Sequence, residues 1–126
     1  MFIRLAPVVF LAIVSLALTG CAAKLNESRS YTLQPELGEG FFLSAQQKPQ
    51  KITVEFTADG EVTVLLFKAD DAKSDEAALM TDEKKALGFK TGKSGSFTAD
   101  VPENTQTRLV IRGASKTTKV DVKVTN

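Results

Sequence analysis

Side chains able to do chemistry are scarce in this chain, and the scarcity narrows its function. There is no His and only one cysteine, Cys21. Serine–histidine–aspartate and cysteine–histidine nucleophile systems are therefore impossible within the chain, as are zinc sites built from His or Cys. Carboxylates remain. Two acids perform general acid–base work when they converge on one bond, and Glu55 and Glu61 are the candidates within the patterned part of the sequence. Both fall on predicted strand surfaces or turn ends, where a solvated charge is the ordinary state, so no catalytic residue is assigned. Asp70, Asp71, Asp75 and Glu76 supply the oxygen ligands that calcium takes, but they lack the glycine and the alternating ligands of an EF-hand loop. Residues 70–85 are expected to be a solvated loop of mixed charge, with Ala77-Ala78-Leu79-Met80 giving a helical turn at the edge of the domain. Thr91-Gly92-Lys93-Ser94-Gly95 does not have the spacing of a phosphate-binding loop and is read as a turn. No metal site and no cofactor is predicted.

Cys21 carries the strongest signal. Met1-Phe2-Ile3-Arg4 bears one positive charge, and residues 5–18 follow without any. A basic start, an apolar middle and small residues at the end make an export signal. A membrane-spanning helix needs about 20 apolar residues, and this stretch stops earlier, at Thr19-Gly20-Cys21. Leu18-Thr19-Gly20-Cys21 resembles the lipobox of bacterial lipoproteins: an aliphatic residue, two small residues and cysteine. The resemblance implies a diacylglyceryl group on the Cys21 sulfur, cleavage between Gly20 and Cys21, and in many bacteria a further fatty acyl chain, such as palmitate, on the new amino group. Each buried methylene contributes about 0.8 kcal/mol, so two or three chains make a durable anchor where one is marginal. A lone cysteine has no partner for an internal disulfide, and lipidation accounts for it. In Gram-negative bacteria Asp after the cysteine retains a lipoprotein in the inner membrane; by the same resemblance, Ala22 points to the outer membrane.

Removing residues 1–20 leaves one domain, with equal numbers of basic and acidic residues, 15 of each. A neutral balance favours neither nucleic acid nor electrostatic attachment to a membrane, so the expected anchor is the lipid. There is no Trp and a single Tyr, Tyr31. Phe56, Phe67 and Phe97 sit within strand patterns and are expected in the core, while Phe41, Phe42 and Phe89 are not assigned.

The elements that must position these residues read as strands. Residues 21–30 are expected to be a lipidated linker and residues 31–126 a small antiparallel all-β sandwich. Phe41-Phe42-Leu43 forms an early strand. Ile52, Val54 and Phe56 alternate with polar residues, as do Val62, Val64 and Leu66. Ala58-Asp59-Gly60 between them reads as a hairpin turn, and a three-residue loop would pair Phe56 with Val62, Val54 with Val64 and Ile52 with Leu66. This register keeps the apolar sets together and is preferred; Leu65 and Phe67 then face the opposite side, which predicts a strand covered on both faces. The competing reading has the chain cross between sheets at this turn. Further strands are expected near Leu87-Gly88-Phe89, at residues 96–101, at residues 107–112 and at residues 119–124. In the last, Val120, Val122 and Val124 face the core while Lys119, Asp121 and Lys123 face water.

Ser96-Phe97-Thr98-Ala99-Asp100-Val101-Pro102 and Thr107-Arg108-Leu109-Val110-Ile111-Arg112-Gly113 resemble the last strands of bacterial pre-peptidase C-terminal domains. The resemblance implies a jelly-roll-like sandwich. Thr63-Val64-Leu65-Leu66-Phe67 stands where that family carries an acidic motif, so fold alone is implied and no ligand site. The function expected from the sequence is a membrane-tethered envelope lipoprotein with a non-catalytic interaction or structural module, whose partner is another envelope protein and not nucleic acid. The alternative is an accessory module that binds polysaccharide or a small ligand.

Overall fold

The computed structural model describes residues 24–126, so the expected signal peptide, Gly20 and Cys21 lie outside the described residues. Six antiparallel strands make the domain: β1 (Asn26–Leu33), β2 (Glu39–Leu43), β3 (Gln50–Lys68), β4 (Gly88–Val101), β5 (Thr107–Arg112) and β6 (Thr118–Thr125). A short helix, α1 (Asp75–Met80), and two 3-10 turns (Ala69–Asp71 and Glu83–Lys85) lie between β3 and β4. The all-β sandwich expected from the sequence is what forms.

The 19-residue β3 organises everything else. Along one side it pairs with β4 over nearly its whole length. Along the other side it pairs first with β6, from Thr53 to Ala58, and then with β5, from Thr63 to Lys68. The sheet therefore folds over near residues 58–62. One half holds β1, β6, the start of β3 and the end of β4; the other holds β2, β5, the end of β3 and the start of β4.

There is no hairpin at Asp59-Gly60. Phe56 pairs with Gly95 and Val122 instead of Val62, and Val62 pairs with Gly92. A tight hairpin loop needs residues at positive φ, and neither Asp59 nor Gly60 is among the residues that have it. Inward phase runs without interruption from Ile52 through Val54 and Phe56 to Val62, Val64 and Leu66, all packed in one core. Gly60 falls on that same inward phase at the fold. A Cβ there would lie 3.0 Å from Thr118 Oγ1, so the missing side chain lets β6 approach the bend. Asp59 joins the two sides: its carboxylate accepts the Lys119 N–H at 2.8 Å. Residues 91–95, expected to be a turn, run inside β4, which bends with β3 where residues 58–61 oppose the single residue Lys93.

The main core is filled from both halves by Leu33, Phe41, Leu43, Ala99, Val101, Leu109, Ile111 and the three valines of β6, together with the inward side of β3. β6 is an interior strand, paired with β1 and β3, so its alternating charges decorate a face and do not protect an edge. Residues 26–30, expected to belong to the linker, are paired in full register with β6. Leu25 packs against the core, and its N–H donates to Asn126 Oδ1 at 2.8 Å. The physical reason is alternation: Glu27, Arg29, Tyr31 and Leu33 share one phase, and the polar composition of the segment hid a strand whose inward side is only partly apolar.

Leu65 and Phe67 do face away from the main core, as expected. They form a second cluster with Val110, Ala72 and Ala78 beneath the helical segment. Residues 70–85 are thus not simply a solvated loop, because their alanines close over one face of the sheet.

Candidate functional site

Three surfaces are candidate sites. The first is the outer side of the first half-sheet. Cross-strand register sets Ser28, Lys123, Glu55 and Ser96 in one row, and Ser30, Asp121, Thr57 and Ser94 in the next. Together they line a shallow depression of about 590 Å³. Ser30 Oγ donates to Asp121 Oδ1 at 2.5 Å. Glu55 therefore lies on a wide, open sheet face, which lacks the enclosure that sharpens acid–base chemistry, and Glu61 is exposed on β3. This surface is rich in hydroxyls and mixed charge and has no exposed aromatic ring among its lining residues.

The second is the helical segment against β5, where two arginines do what the sequence reading did not foresee. Arg108 is only 9 % exposed. Its Nη1 donates to Ala72 O at 2.9 Å and Ser74 O at 3.1 Å, and its Nη2 donates to Asp75 Oδ1 at 2.8 Å. The Phe42 ring lies against the guanidinium, its centroid 4.9 Å from Cζ. Arg112 Nη1 donates to Ala78 O at 2.7 Å and Leu79 O at 3.1 Å, and Nη2 donates to Thr81 O at 2.7 Å. Ala78 and Leu79 lie in the last turn of α1 and Thr81 is its C-cap, where a helix leaves carbonyls without internal donors. At its other end Ser74 caps α1, its hydroxyl accepting the Ala77 N–H at 3.0 Å. The pair clamps the segment onto the sheet. The signal was present in the sequence: Arg108, Val110 and Arg112 share one phase of a strand, so if Val110 is covered the arginines are covered too.

The acidic residues of this segment are largely spoken for or dispersed. Asp75 faces Arg108, and Asp70 Oδ1 lies 3.6 Å from Lys73 Nζ on the surface. Among the described residues no three His, Cys, Asp or Glu side chains are grouped to hold a metal ion.

The third is the seam where β1 and β2, the outermost strands of the two halves, come together. Arg29 Cζ sits 4.2 Å above the Phe41 ring centroid, and Tyr31 stacks on the same ring with centroids 6.5 Å apart. Glu27 Oε2 accepts from Arg29 Nη2 at 3.1 Å, which raises the guanidinium pKa above its ordinary value. Inward-pointing charges on an outer strand discourage the addition of another strand. Burial pushes the Tyr31 hydroxyl above 10.0, and the neighbouring Arg29 guanidinium partly offsets this by favouring the phenolate.

Because Tyr31 is the only tyrosine and no tryptophan interferes, ultraviolet titration reads it alone. The midpoint is expected above 10.0, and in Arg29→Gln it should rise further; an unchanged midpoint in that variant would contradict the seam geometry. The folded state holds the tyrosine proton more tightly than the unfolded chain. Its contribution to stability is therefore complete below pH 10 and lost as the pH climbs through the folded midpoint.

Phe41, Phe56 and Phe67 are buried, Phe97 packs partly against the core, and Phe42 and Phe89 are exposed. No helix among the described residues is long and apolar enough to cross a membrane.

No protein-family model matches the chain, and no curated protein matches it by sequence. Solved structures share its fold. It is similar to the pre-peptidase C-terminal domain of a collagenase from Bacillus anthracis, with a TM-score of 0.57 and 10 % identity over 79 % of this chain and 89 % of that one. It is also similar to the Yersinia pseudotuberculosis-derived mitogen, with a TM-score of 0.54 and 9 % identity over 82 % of this chain and 86 % of that one. A chain of the disulfide-linked pili that form Bacillus endospore appendages matches with a TM-score of 0.50 and 13 % identity, over 82 % and 84 %. The β-sandwich resemblance read from residues 96–113 is supported by the first of these. At such identities the likeness carries the fold alone.

Proposed function

We propose that this protein is a lipid-anchored module of a bacterial cell envelope, held to a membrane through Cys21, whose sandwich binds another envelope protein or serves a structural role without catalysis. The observation that carries the reading is the short distance between the lipobox-like Leu18-Thr19-Gly20-Cys21 and the first strand. Only residues 22–25 separate Cys21 from β1, so the domain begins almost at the anchor. Cleavage before Cys21 and acylation of its sulfur and amino group would leave the sandwich at the bilayer surface. In a double-membrane envelope Ala22 directs it to the outer membrane.

The expected outcome for Cys21→Ser is loss of the diacylglyceryl group and of cleavage before residue 21, so that the N-terminus keeps residues 1–20. Intact mass of the N-terminus reads both. A Cys21→Ser protein that stays with membranes and keeps the same processed start would end this reading. Affinity capture from solubilised envelope is expected to return one stoichiometric protein partner, and repeated empty captures would count against the interaction role.

The hydroxyl-lined rows of β1, β6, β3 and β4 favour a second reading, an accessory module that binds polysaccharide through hydrogen bonds to sugar hydroxyls. Glycan-array binding abolished by Asp121→Ala and Glu55→Gln together would support it; no binding to any glycan would remove it.

A further inference from the structure

The end of the sandwich from which the anchor would emerge differs from the opposite end. Lys24, Leu25, Phe42, Leu43, Ser44 and Gln46 border a groove of about 240 Å³ there. Phe42 is 45 % exposed, on a short strand whose other side chains of the same kind, Phe41 and Leu43, are buried. It is not a loosely held ring. Phe42 pairs across the sheet with Arg108, whose guanidinium backs the ring and is itself bonded to two carbonyls and Asp75. The ring is thus fixed in an outward position beside the point where the described chain begins.

Resting on the lipid anchor proposed above, we infer that this end is a membrane-contact surface, with Phe42 inserted at the headgroup level of the bilayer. The occupant follows from the length of chain outside the described residues and where it ends. From Cys21 to Leu25 an extended chain reaches at most about 14 Å, and Leu25 is packed on the core and tied to Asn126. An acylated Cys21 would therefore draw this end, and no other, against the lipid. An exposed phenylalanine ring is favoured at the boundary between headgroups and acyl chains, where apolar side chains of interfacial segments are buried. Charge plays little part: Lys51 is paired with Asp100, and the groove is lined by one cation, Lys24, and one anion, Glu27. The far end, with the loop through Lys116, lies roughly 25 Å away along the eight residues of β6.

The test uses the lipidated mature protein in vesicles of phosphatidylethanolamine and phosphatidylglycerol that contain a nitroxide-headgroup lipid. With Cys21 acylated, an introduced cysteine is the only free thiol. A fluorophore is placed at Ser44→Cys beside Phe42, at Asp100→Cys on the other edge of the same end, or at Lys116→Cys at the far end. Quenching is expected to be several-fold stronger at position 44 than at 100 or 116. Adding Phe42→Ser should bring position 44 down to the level of position 100, while Phe42→Leu should preserve the difference. Equal quenching at 44 and 100, or indifference to Phe42→Ser in a folded protein, overturns the contact and leaves the tether standing. An intact mass without diacylglycerol on Cys21 overturns both together.

Discussion

Arg108→Ala is expected to lower the unfolding free energy by about 3 kcal/mol, whereas Asp75→Ala should lower it by less than about 1 kcal/mol. The asymmetry follows from where the two partners sit. The Asp75 side chain is 96 % exposed, so removing it returns one donor of Arg108 towards water. Removing Arg108 strips the donor from Ala72 O, in the second apolar cluster, and one of two donors from Ser74 O, which keeps the Ala78 N–H. An unsatisfied buried carbonyl costs about 1–3 kcal/mol, and the stem of Arg108 takes packing with it. For a domain of this size a loss of 3 kcal/mol corresponds to a fall in Tm of roughly 10–20 °C. Arg108→Lys should recover only a fraction, because one ammonium cannot reproduce the planar fork that reaches two carbonyls and a carboxylate at once. Urea denaturation of the three variants measures this. Equal losses for Arg108→Ala and Asp75→Ala would mean that the ion pair, and not the clamp on the backbone, holds the helical segment.

Gly40→Ala is expected to be at least as damaging, by about 3–5 kcal/mol, and to act on one strand. A Cβ at Gly40 would overlap Leu109 O and lie 3.1 Å from Leu109 C. Both are backbone atoms of the paired strand and have no rotamer by which to yield. Relief requires β2 to move off β5, and β2 carries Phe41 and Leu43 into the core. Each of those side chains contributes about 1.5–3 kcal/mol when fully buried. Hydrogen exchange should therefore quicken at the amides of β2 in this variant while β6, held between β1 and β3, keeps its protection. A uniform rise in exchange, or stability within 1 kcal/mol of the parent, would show that β2 is not pinned against β5 as described. The same displacement would loosen Phe42, so Gly40→Ala is also expected to weaken the quenching at position 44.

Much of the domain was legible because strands announce themselves by alternation. β5 spans residues 107–112 as its apolar run predicts, and β6 turns its valines inward and its charges outward as its alternation predicts. Phe67 and Leu65 on the opposite phase from Leu66 predicted the second covered face. The sites were less legible. A polar concave face is spelled by the same Ser, Thr, Lys and Asp residues as any solvated sheet surface, and only register sets Ser28, Lys123, Glu55 and Ser96 side by side. The arginine clamp is not legible in the sequence because exposed arginine is the default expectation, and the default fails only when a neighbouring segment folds over the strand.

What the sequence determined by itself were the local properties: the absence of His, the single cysteine in its lipobox-like setting, and the period-two runs that make an all-β domain. Each follows from residue identity or from short-range phase, which needs no knowledge of the remainder of the chain. The tertiary structure alone decided that Asp59-Gly60 is a fold in one continuous strand and not a hairpin. A turn dipeptide permits both, and the choice depends on β6 and β5 arriving in succession along the same side of β3. It alone decided, too, that residues 26–30 form a strand and that Phe42 stands outward beside the start of the described chain. Those outcomes rest on pairings with Thr125 and Arg108, partners far away in sequence that no local pattern can designate.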